Sequence, residues 1–320
     1  MTKSKSPESV AKATKYRLVT RSDFDGLVCA VLLKHIDMID DILFVHPKDM
    51  QDGKIDITDR DITTNLPYVQ GVHICFDHHS SELLRNKEQK DNHIIDPDAM
   101  SAARVVYDHF GGLKTFPERW TSMMEAVDKA DAAQFTIDEI LNPKDWVLLN
   151  YLMDPRTGLG RFRNFRISNY NLMMDLIDYC KDHGIDEVMK MPDVMERVQL
   201  YFEQAELFKD QVNRCCTIHN NLIVLNLKGE ETIYAGNRFM IYALYPQTNI
   251  SIHVLWGLKQ QNTVFAIGKS IVNRFSKTDI GDLCFKYEGG GHKNAGTCQV
   301  PNDKANEVLQ ELIAKITADG

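Results

Sequence analysis

The amino-acid sequence predicts an α/β protein in which helices flank a parallel sheet, and in which a helical connector leads to a smaller α/β domain. Three observations predict this fold class. Short apolar runs alternate with helical patterns over the first half, the stretch from about 167 to 214 is mostly helical, and the alternation then returns. Strands that alternate with helices favour a parallel sheet that is covered on both faces.

The first half of the chain supplies the larger domain. Its predicted strands cover residues 16–20, 42–45, 55–58 and 72–76, and its predicted helices cover 27–38, 99–110 and 117–130. In parallel sheets of this kind, ligands bind beyond the carboxyl ends of the strands. Polar residues that directly follow a strand are therefore the first candidates for a functional site.

The second half supplies the connector and the smaller domain. A proline is tolerated in the first turn of a helix, so residues 192–214 read as one long helix. Predicted strands then cover 221–227, 250–256, 264–267 and 296–300, and predicted helices cover 238–244, 279–286 and 304–318. The expected division is a disordered tail over 1–15, a first domain over 16–185, a connector over 186–215 and a second domain over 216–320.

Composition and charge argue against several classes of function. The 320 residues carry a formal charge of −8, whereas a protein that coats long duplex DNA normally has a basic face. No apolar stretch reaches the roughly 18 residues of a membrane span, and residues 1–15 lack the apolar core of a secretory signal. The seven cysteines are scattered and odd in number, which argues against a disulfide framework. We expect a cytoplasmic protein that binds a small phosphorylated ligand.

Acidic and imidazole side chains collect where predicted strands end. Asp23 and Asp25 follow the first strand at a spacing of i, i+2, which in an extended chain points both carboxylates to one side. The motif Asp77-His78-His79 follows the strand over 72–76. Converging carboxylates repel each other unless a positive charge lies between them, and a divalent cation is the simplest such charge.

Two further acidic residues extend this set. Asp59 follows the predicted strand over 55–58, and Asp131 lies near the end of the predicted helix over 117–130. Carboxylates and imidazole without clustered thiols suit Mn²⁺ or Mg²⁺ better than a structural zinc ion. Two such ions about 3.5–4 Å apart would activate water and hold both ends of a phosphoryl displacement. The pattern therefore predicts a phosphohydrolase.

The last candidate site is the glycine-rich stretch Glu288-Gly289-Gly290-Gly291-His292. Successive glycines let the backbone approach a ligand and turn its N–H groups inward around an anion. By themselves they would equally suit a flexible turn between a helix and a strand. Arg238 is a further candidate clamp for a phosphate or carboxylate, with a solvated charge at a helix start as the alternative.

These motifs resemble those of the DHH phosphoesterase superfamily. Asp23-Phe24-Asp25-Gly26, Asp59, Asp77-His78-His79 and Asp131 follow the order of its motifs, and residues 288–296 resemble the glycine-rich signature of its companion DHHA1 domain. The resemblance covers nearly the whole chain after residue 15. It implies a DHH catalytic domain over 16–185 and a DHHA1 substrate-binding domain over 216–320.

The resemblance also implies a role for each candidate residue. Asp23 and Asp59 would hold one Mn²⁺ or Mg²⁺ ion, and Asp25, Asp59, His78 and Asp131 would hold a second. His79 would contact the scissile phosphate, and Asp77 would orient the neighbouring imidazoles. The resemblance implies that Gly289, Gly290, Gly291 and His292 bind the substrate, and Arg238 is added to them as the candidate clamp named above.

Arg21 departs from the family pattern. The family usually has a histidine shortly before the first aspartate, where it binds the first ion, and residues 19–22 contain none. An arginine has no free lone pair and cannot bind a metal. The departure leaves three alternatives, which are a single ion, a substitute ligand such as His46, or a catalytic role for Arg21 as a phosphate clamp.

Three functions stay open from the sequence. The leading one is a divalent-metal-dependent phosphohydrolase that cleaves short oligonucleotides or small nucleotides with metal-activated water. The second is an exopolyphosphatase acting on inorganic polyphosphate, and the third is a non-catalytic nucleotide-binding module. All three take a small phosphorylated partner rather than long duplex DNA or a membrane, and all allow a homodimer.

Overall fold

The structure is a computed structural model that describes residues 15–79, 82 and 90–320. Except for residue 15, the predicted tail lies outside the described residues. The chain divides into two compact units, the first with residues up to 128 and 173–183, and the second with residues 129–172 and 184–320. The domain boundaries expected from the sequence differ over residues 129–172 and stay a prediction.

The strands and helices alternate through most of the described chain. The strands are β1 Tyr16–Thr20, β2 Ile39–Phe44, β3 Asp61–Thr64, β4 Ile74–Asp77, β5 His93–Ile95, β6 Cys216–His219, β7 Leu222–Asn226, β8 Ile250–Trp256, β9 Thr263–Lys269, β10 Gly290–His292 and β11 Ala295–Val300. The helices are α1 Phe24–His35, α2 Pro47–Gln51, α3 Ala102–His109, α4 Thr121–Asp131, α5 Ile137–Leu141, α6 Asp145–Met153, α7 Asn169–Asp182, α8 Ile185–Val188, α9 Pro192–Cys215, α10 Met240–Leu244, α11 Ile280–Phe285 and α12 Ala305–Asp319.

The first unit is built on a five-stranded sheet in the order β2-β1-β3-β4-β5, with every pairing parallel. This confirms the predicted parallel sheet. Helix α1 is buried from Phe24 to Leu33 without interruption, as expected for a helix that is apolar on all sides. It contacts both β2 and α3. The sheet thus fixes where its strand ends and the amino end of α1 lie.

The third predicted strand is wrong. Residues 55–58 form no strand, whereas β3 covers Asp61–Thr64 and pairs with β1 and β4. Apolar and polar residues alternate over 55–58, as they do in a half-buried strand. A central parallel strand is buried on both faces, so its sequence need not alternate. Asp61 is buried in β3 because its carboxylate accepts a hydrogen bond from Nε of Arg17 at 2.6 Å. Asp59 consequently precedes its strand instead of following it.

Helix α1 begins at Phe24, three residues before the predicted start at 27. Asp23 caps it, because a carboxylate oxygen accepts from the backbone N–H of Gly26 at 3.0 Å. Gly26 lies against the preceding loop so closely that a Cβ atom there would stand 2.0 Å from the carbonyl oxygen of Arg21. The turn from β1 into α1 therefore requires glycine at this position.

We expect Gly26→Ala to lower the free energy of unfolding by about 1–3 kcal/mol, because backbone must move to admit the methyl group. Urea denaturation followed by circular dichroism measures the change. Gly229→Ala is the matched control, since a Cβ atom there would have nothing within 4 Å. Equal stability of the two variants would contradict the tight turn.

The second unit is built on a six-stranded mixed sheet in the order β10-β11-β9-β8-β7-β6. Its core includes Ile252 and Phe265 from the sheet, Ile280 from α11 and Leu312 from α12, all buried. The predicted long helix is confirmed as α9, which begins at Pro192. The sequence prediction missed β6 and β10, which are short strands at the edges of the sheet. Among the helices of the described residues, none is long and apolar enough to span a membrane.

Candidate metal centre

Three side chains offer ligand atoms to one point of the structure. One ligand atom each from Asp25, His78 and Asp131 lie within 4.8 Å of one another. Asp25 belongs to the first turn of α1, His78 follows β4, and Asp131 is the last residue of α4, a helix that begins in the first unit. The sequence predicted all three as ligands from the strand and helix ends they occupy.

The carboxylate of Asp25 is held by the amino end of α3. It is 3 % exposed and accepts backbone hydrogen bonds from Ala102 at 3.2 Å and Ala103 at 2.8 Å. The amino end of a helix carries partial positive charge and unpaired N–H groups, so it favours an anion. These two bonds fix the carboxylate in place while it can still face a cation.

The imidazole of His78 is oriented by a backbone carbonyl. Its Nδ1 lies 3.2 Å from the oxygen of Ala99. Because a carbonyl oxygen can only accept, Nδ1 carries the hydrogen, and Nε2 then presents a lone pair. A histidine whose Nδ1 donates to a carbonyl in this way is arranged as a metal ligand through Nε2.

Asp77 organises the rest of the histidine motif. It is fully buried, and its Oδ1 accepts from Nδ1 of His79 at 2.7 Å and from the backbone N–H of His78 at 2.8 Å. The side chain of His79 is 44 % exposed. With Nδ1 committed to Asp77, Nε2 is the ring atom of His79 that can meet a ligand.

Asp128 and Asp131 make different contacts although both belong to α4. Asp128 accepts from the hydroxyl of Ser101 at 2.7 Å and from Nε of Arg104 at 2.9 Å. Ser101 in turn caps α3 by accepting from the backbone N–H of Arg104 at 3.0 Å. Asp128 thus supports the helix end that holds Asp25, while Asp131 offers a ligand atom to the cluster.

Arg21 and Asp23 form an ion pair beside the cluster. Nε of Arg21 lies 3.0 Å from Oδ2 of Asp23, whose Oδ1 caps α1. The argument that Asp23 and Asp25 extend together along a strand is wrong, because the helix begins between them. The position that the resemblance gave to a histidine therefore holds a fixed positive charge next to Asp23.

The donor set of the cluster fits a divalent cation. Two carboxylates and one imidazole are the ligands that Mn²⁺ or Mg²⁺ takes. The carboxylates bring negative charge that a cation would balance. The cluster supplies fewer protein ligands than either ion accepts, so water or substrate oxygens would complete its coordination.

Comparison with known proteins decides the family. No protein-family profile and no curated protein matches the chain. Among solved structures, the pGpG-specific phosphodiesterase PggH from Vibrio cholerae is 63% identical, with a TM-score of 0.87 over 96% of this chain and 100% of that one. RecJ from Thermus thermophilus, solved with Mn²⁺, is 13% identical, with a TM-score of 0.55 over 95% of this chain and 52% of RecJ. That likeness concerns the fold alone.

The chain belongs to the DHH phosphoesterase superfamily. It is a phosphoesterase, and its Asp77-His78-His79 motif is the sequence after which the superfamily is named. The positions at which this chain departs from the DHH pattern of metal ligands therefore bear on how its metal centre is built.

The metal-ligand role expected for Asp59 in the DHH pattern is not met by the structure. Asp59 is exposed and precedes β3, whose first residue pairs with Arg17 at the start of β1. The cluster lies at the carboxyl end of the sheet, so the four residues of β3, roughly 10 Å, separate Asp59 from it. The strand on which the bridging assignment was based is absent over residues 55–58, and the assignment of Asp59 as a bridging ligand stays a prediction.

Asn65, which the sequence analysis missed, occupies the end of β3 where the DHH pattern would put a carboxylate. It is 1 % exposed, has a left-handed backbone with φ of 55°, and its side-chain amide makes no hydrogen bond among the described residues. Beside it, Thr64 donates its hydroxyl hydrogen to Thr20 at 2.7 Å. Placing the strand at 61–64 would have revealed this residue from the sequence.

The glycine-rich stretch forms a hairpin in the second unit. Gly291 pairs with Gly296 between β10 and β11, and a Cβ atom on Gly291 would stand 2.4 Å from the carbonyl oxygen of Ala295. His292 is exposed, and its Nδ1 accepts from the backbone N–H of Asn294 at 3.3 Å. Gly291 therefore serves close strand packing, and the ligand roles of Gly289, Gly290, Gly291 and His292 stay predictions.

Proposed function

We propose that this phosphoesterase hydrolyses short 5′-phosphorylated oligoribonucleotides, pGpG in particular, with a bound divalent cation. One observation carries the proposal, which is 63% identity over the full length of a phosphodiesterase specific for pGpG. Addition of water to the bridging phosphate breaks its bond to the 3′ oxygen and yields two molecules of GMP. The cluster of Asp25, His78 and Asp131 supports such chemistry.

Asp25, His78 and Asp131 are proposed to hold a single Mn²⁺ or Mg²⁺ ion. A divalent cation held there would lower the pKa of bound water and would offset the charge of the phosphate. The DHH pattern expects a second ion on Asp23 and Asp59, but Arg21 pairs with Asp23 and Asp59 lies at the opposite end of the sheet. In this proposal, Arg21 supplies the positive charge that a second ion would supply.

His79 is proposed to act on the phosphate, and Asp77 is proposed to orient its ring. Asp77 fixes Nδ1 of His79, so the ring orientation is set before substrate arrives. In the imidazolium form of His79, Nδ1 still donates to Asp77 while Nε2 donates its hydrogen to a non-bridging phosphate oxygen as charge develops there. A fixed donor of this kind is effective because it needs no reorganisation during the reaction.

The proposed function is tested by turnover of pGpG, phosphoadenosine phosphate and inorganic polyphosphate with added Mn²⁺. We expect GMP from pGpG, loss of that activity with EDTA, and about one Mn²⁺ per chain by equilibrium dialysis. Phosphate release from polyphosphate without cleavage of pGpG would overturn the substrate assignment. Two tightly bound ions per chain would overturn the single-ion centre.

A further inference from the structure

The turn that follows α4 has the geometry of a Schellman motif, although its left-handed residue is an alanine. The backbone N–H of Gln134 donates to the carbonyl oxygen of Lys129 at 2.9 Å, and that of Ala133 donates to the carbonyl oxygen of Ala130 at 3.2 Å. These two bonds end a helix in this motif, and they require a left-handed residue at the position of Ala133. Ala133 has a φ of 50°. The two bonds therefore close the last helical turn, which contains Asp131.

An alanine makes this turn costly by itself. The left-handed conformation brings the Cβ atom close to the following carbonyl oxygen, and glycine is the usual residue because it has no Cβ atom. Without a further contact, Ala133 would leave this conformation more readily than a glycine, and the last turn of α4 would then open. Asp131 is the last residue of α4, so it would no longer be held in place.

Arg274 supplies a contact at this residue. Its Nη2 donates to the carbonyl oxygen of Ala133 at 2.8 Å, although the two residues are 141 positions apart. Both residues belong to the second unit, as does Asp131. The contact also brings a positive charge near the carboxyl end of α4, where the partial negative charge of a helix favours a cation. Arg274 therefore stabilises the turn in the conformation that holds Asp131.

The loop that carries Arg274 is itself well ordered. Ser270, which directly follows β9, is 2 % exposed. Its Oγ accepts from the backbone N–H groups of Val272 at 3.2 Å and Asn273 at 3.0 Å. Nε of Arg274 donates to the carbonyl oxygen of Ile271 at 3.0 Å. The guanidinium group is thus held in one orientation by its own loop before it contacts the turn.

We infer that Arg274 is a positioning residue for the metal centre, because it stabilises the turn after α4 and thereby the place of Asp131. The inference rests on the proposed function, in which Asp131 holds the cation together with Asp25 and His78. Arg274 contacts a backbone carbonyl and not a ligand side chain, so its loss leaves all three ligand residues in the chain. When the turn is closed in only a fraction of the molecules, the apparent affinity for the cation falls by that fraction.

Calorimetry of Mn²⁺ binding to the full chain tests the inference. We expect Arg274→Ala to weaken Mn²⁺ binding about tenfold, as is typical when a contact that supports a metal ligand is removed. Adding Ala133→Gly to this variant should restore most of the lost affinity, because glycine adopts the left-handed conformation without a steric cost. Saturating Mn²⁺ should return the turnover of pGpG by Arg274→Ala to within about twofold of the wild-type rate, since the bound ion itself holds the turn closed.

Arg119→Ala is the matched control for this experiment. Arg119 is also exposed, and its Nη2 donates to the backbone carbonyl oxygen of Lys181 at 2.9 Å over 62 positions of sequence. This substitution should leave Mn²⁺ affinity unchanged. Unchanged affinity in Arg274→Ala would overturn the inference, and so would a lost affinity that Ala133→Gly does not restore. A fall in kcat that persists at saturating Mn²⁺ would also overturn it, because a general structural defect would then explain the loss.

Failure of the proposed function would be visible separately. A wild-type chain that binds Mn²⁺ without cleaving pGpG would overturn the proposed function, and the Mn²⁺ affinities of the variants would still decide the role of Arg274. A wild-type chain that binds no Mn²⁺ would overturn the single-ion centre and this inference together.

Discussion

Asp25→Asn is expected to lower kcat on pGpG by at least about 10³-fold and to weaken Mn²⁺ binding strongly. The amide can still accept from the amino end of α3 but lacks the charge that binds the cation. Loss of several kcal/mol of charge stabilisation corresponds to this fall in rate, since each tenfold is about 1.4 kcal/mol. Steady-state kinetics and Mn²⁺ calorimetry measure the two effects, and circular dichroism checks that the fold persists.

Asp59→Asn is the matched control for this experiment. It makes the same chemical change at an exposed carboxylate that precedes β3. We expect kcat and Mn²⁺ affinity to stay within about twofold of the wild-type values, as is usual for a surface substitution. If Asp59→Asn abolished turnover as Asp25→Asn does, the centre would be built differently from the cluster described here.

His79→Ala is expected to lower kcat by about 10²- to 10³-fold with Mn²⁺ affinity nearly unchanged. Removing one fixed hydrogen-bond donor to developing charge typically costs this much. The contact of Nδ1 with Asp77 at 2.7 Å places His79 outside the three ligand residues. Kinetics on pGpG, together with Mn²⁺ calorimetry on the same preparation, separate the two effects. A parallel loss of Mn²⁺ affinity would make His79 a metal ligand instead.

Asp77→Asn tests whether the carboxylate of Asp77 orients the ring of His79. The imidazole remains, but the carboxylate that orients it is lost, so we expect a smaller fall in kcat of about 10- to 100-fold. His73→Ala provides a control, since His73 stacks on Tyr16 at a ring distance of 4.0 Å and lies before β4. No loss in Asp77→Asn would mean that His79 is oriented by other contacts.

Much of the fold was predictable because the local sequence patterns favour the same helices and strands that the tertiary structure contains. The apolar run of β1 and the proline that opens α9 each specify an element by themselves. His78 was predictable as a site residue because it follows a buried strand, and the carboxyl ends of parallel strands share one edge. Asp25 was predictable from its place after β1, although it belongs to a helix and not to an extended segment.

The sequence prediction was wrong where the burial of a segment decides whether it forms a strand, because the spacing of apolar residues does not report burial on both faces. Residues 55–58 alternate as a strand does, yet the buried segment 61–64 pairs with its neighbours because Arg17 neutralises Asp61. That shift moves Asp59 away from the site and brings Asn65 to the strand end. Arg17 and Asp61 are 44 positions apart in the sequence, so no local sequence pattern predicts that they form an ion pair.

The sequence by itself determined the α/β architecture, the DHH motif and the acidic residues beside it, because each depends on neighbours along the chain. Only the tertiary structure decided which carboxylates meet. Asp131 joins Asp25 and His78, Asp128 supports α3, and Asp23 pairs with Arg21. Charges separated by many residues find their partners only when the sheet and helices are packed, and the packing sets the distances on which metal binding depends.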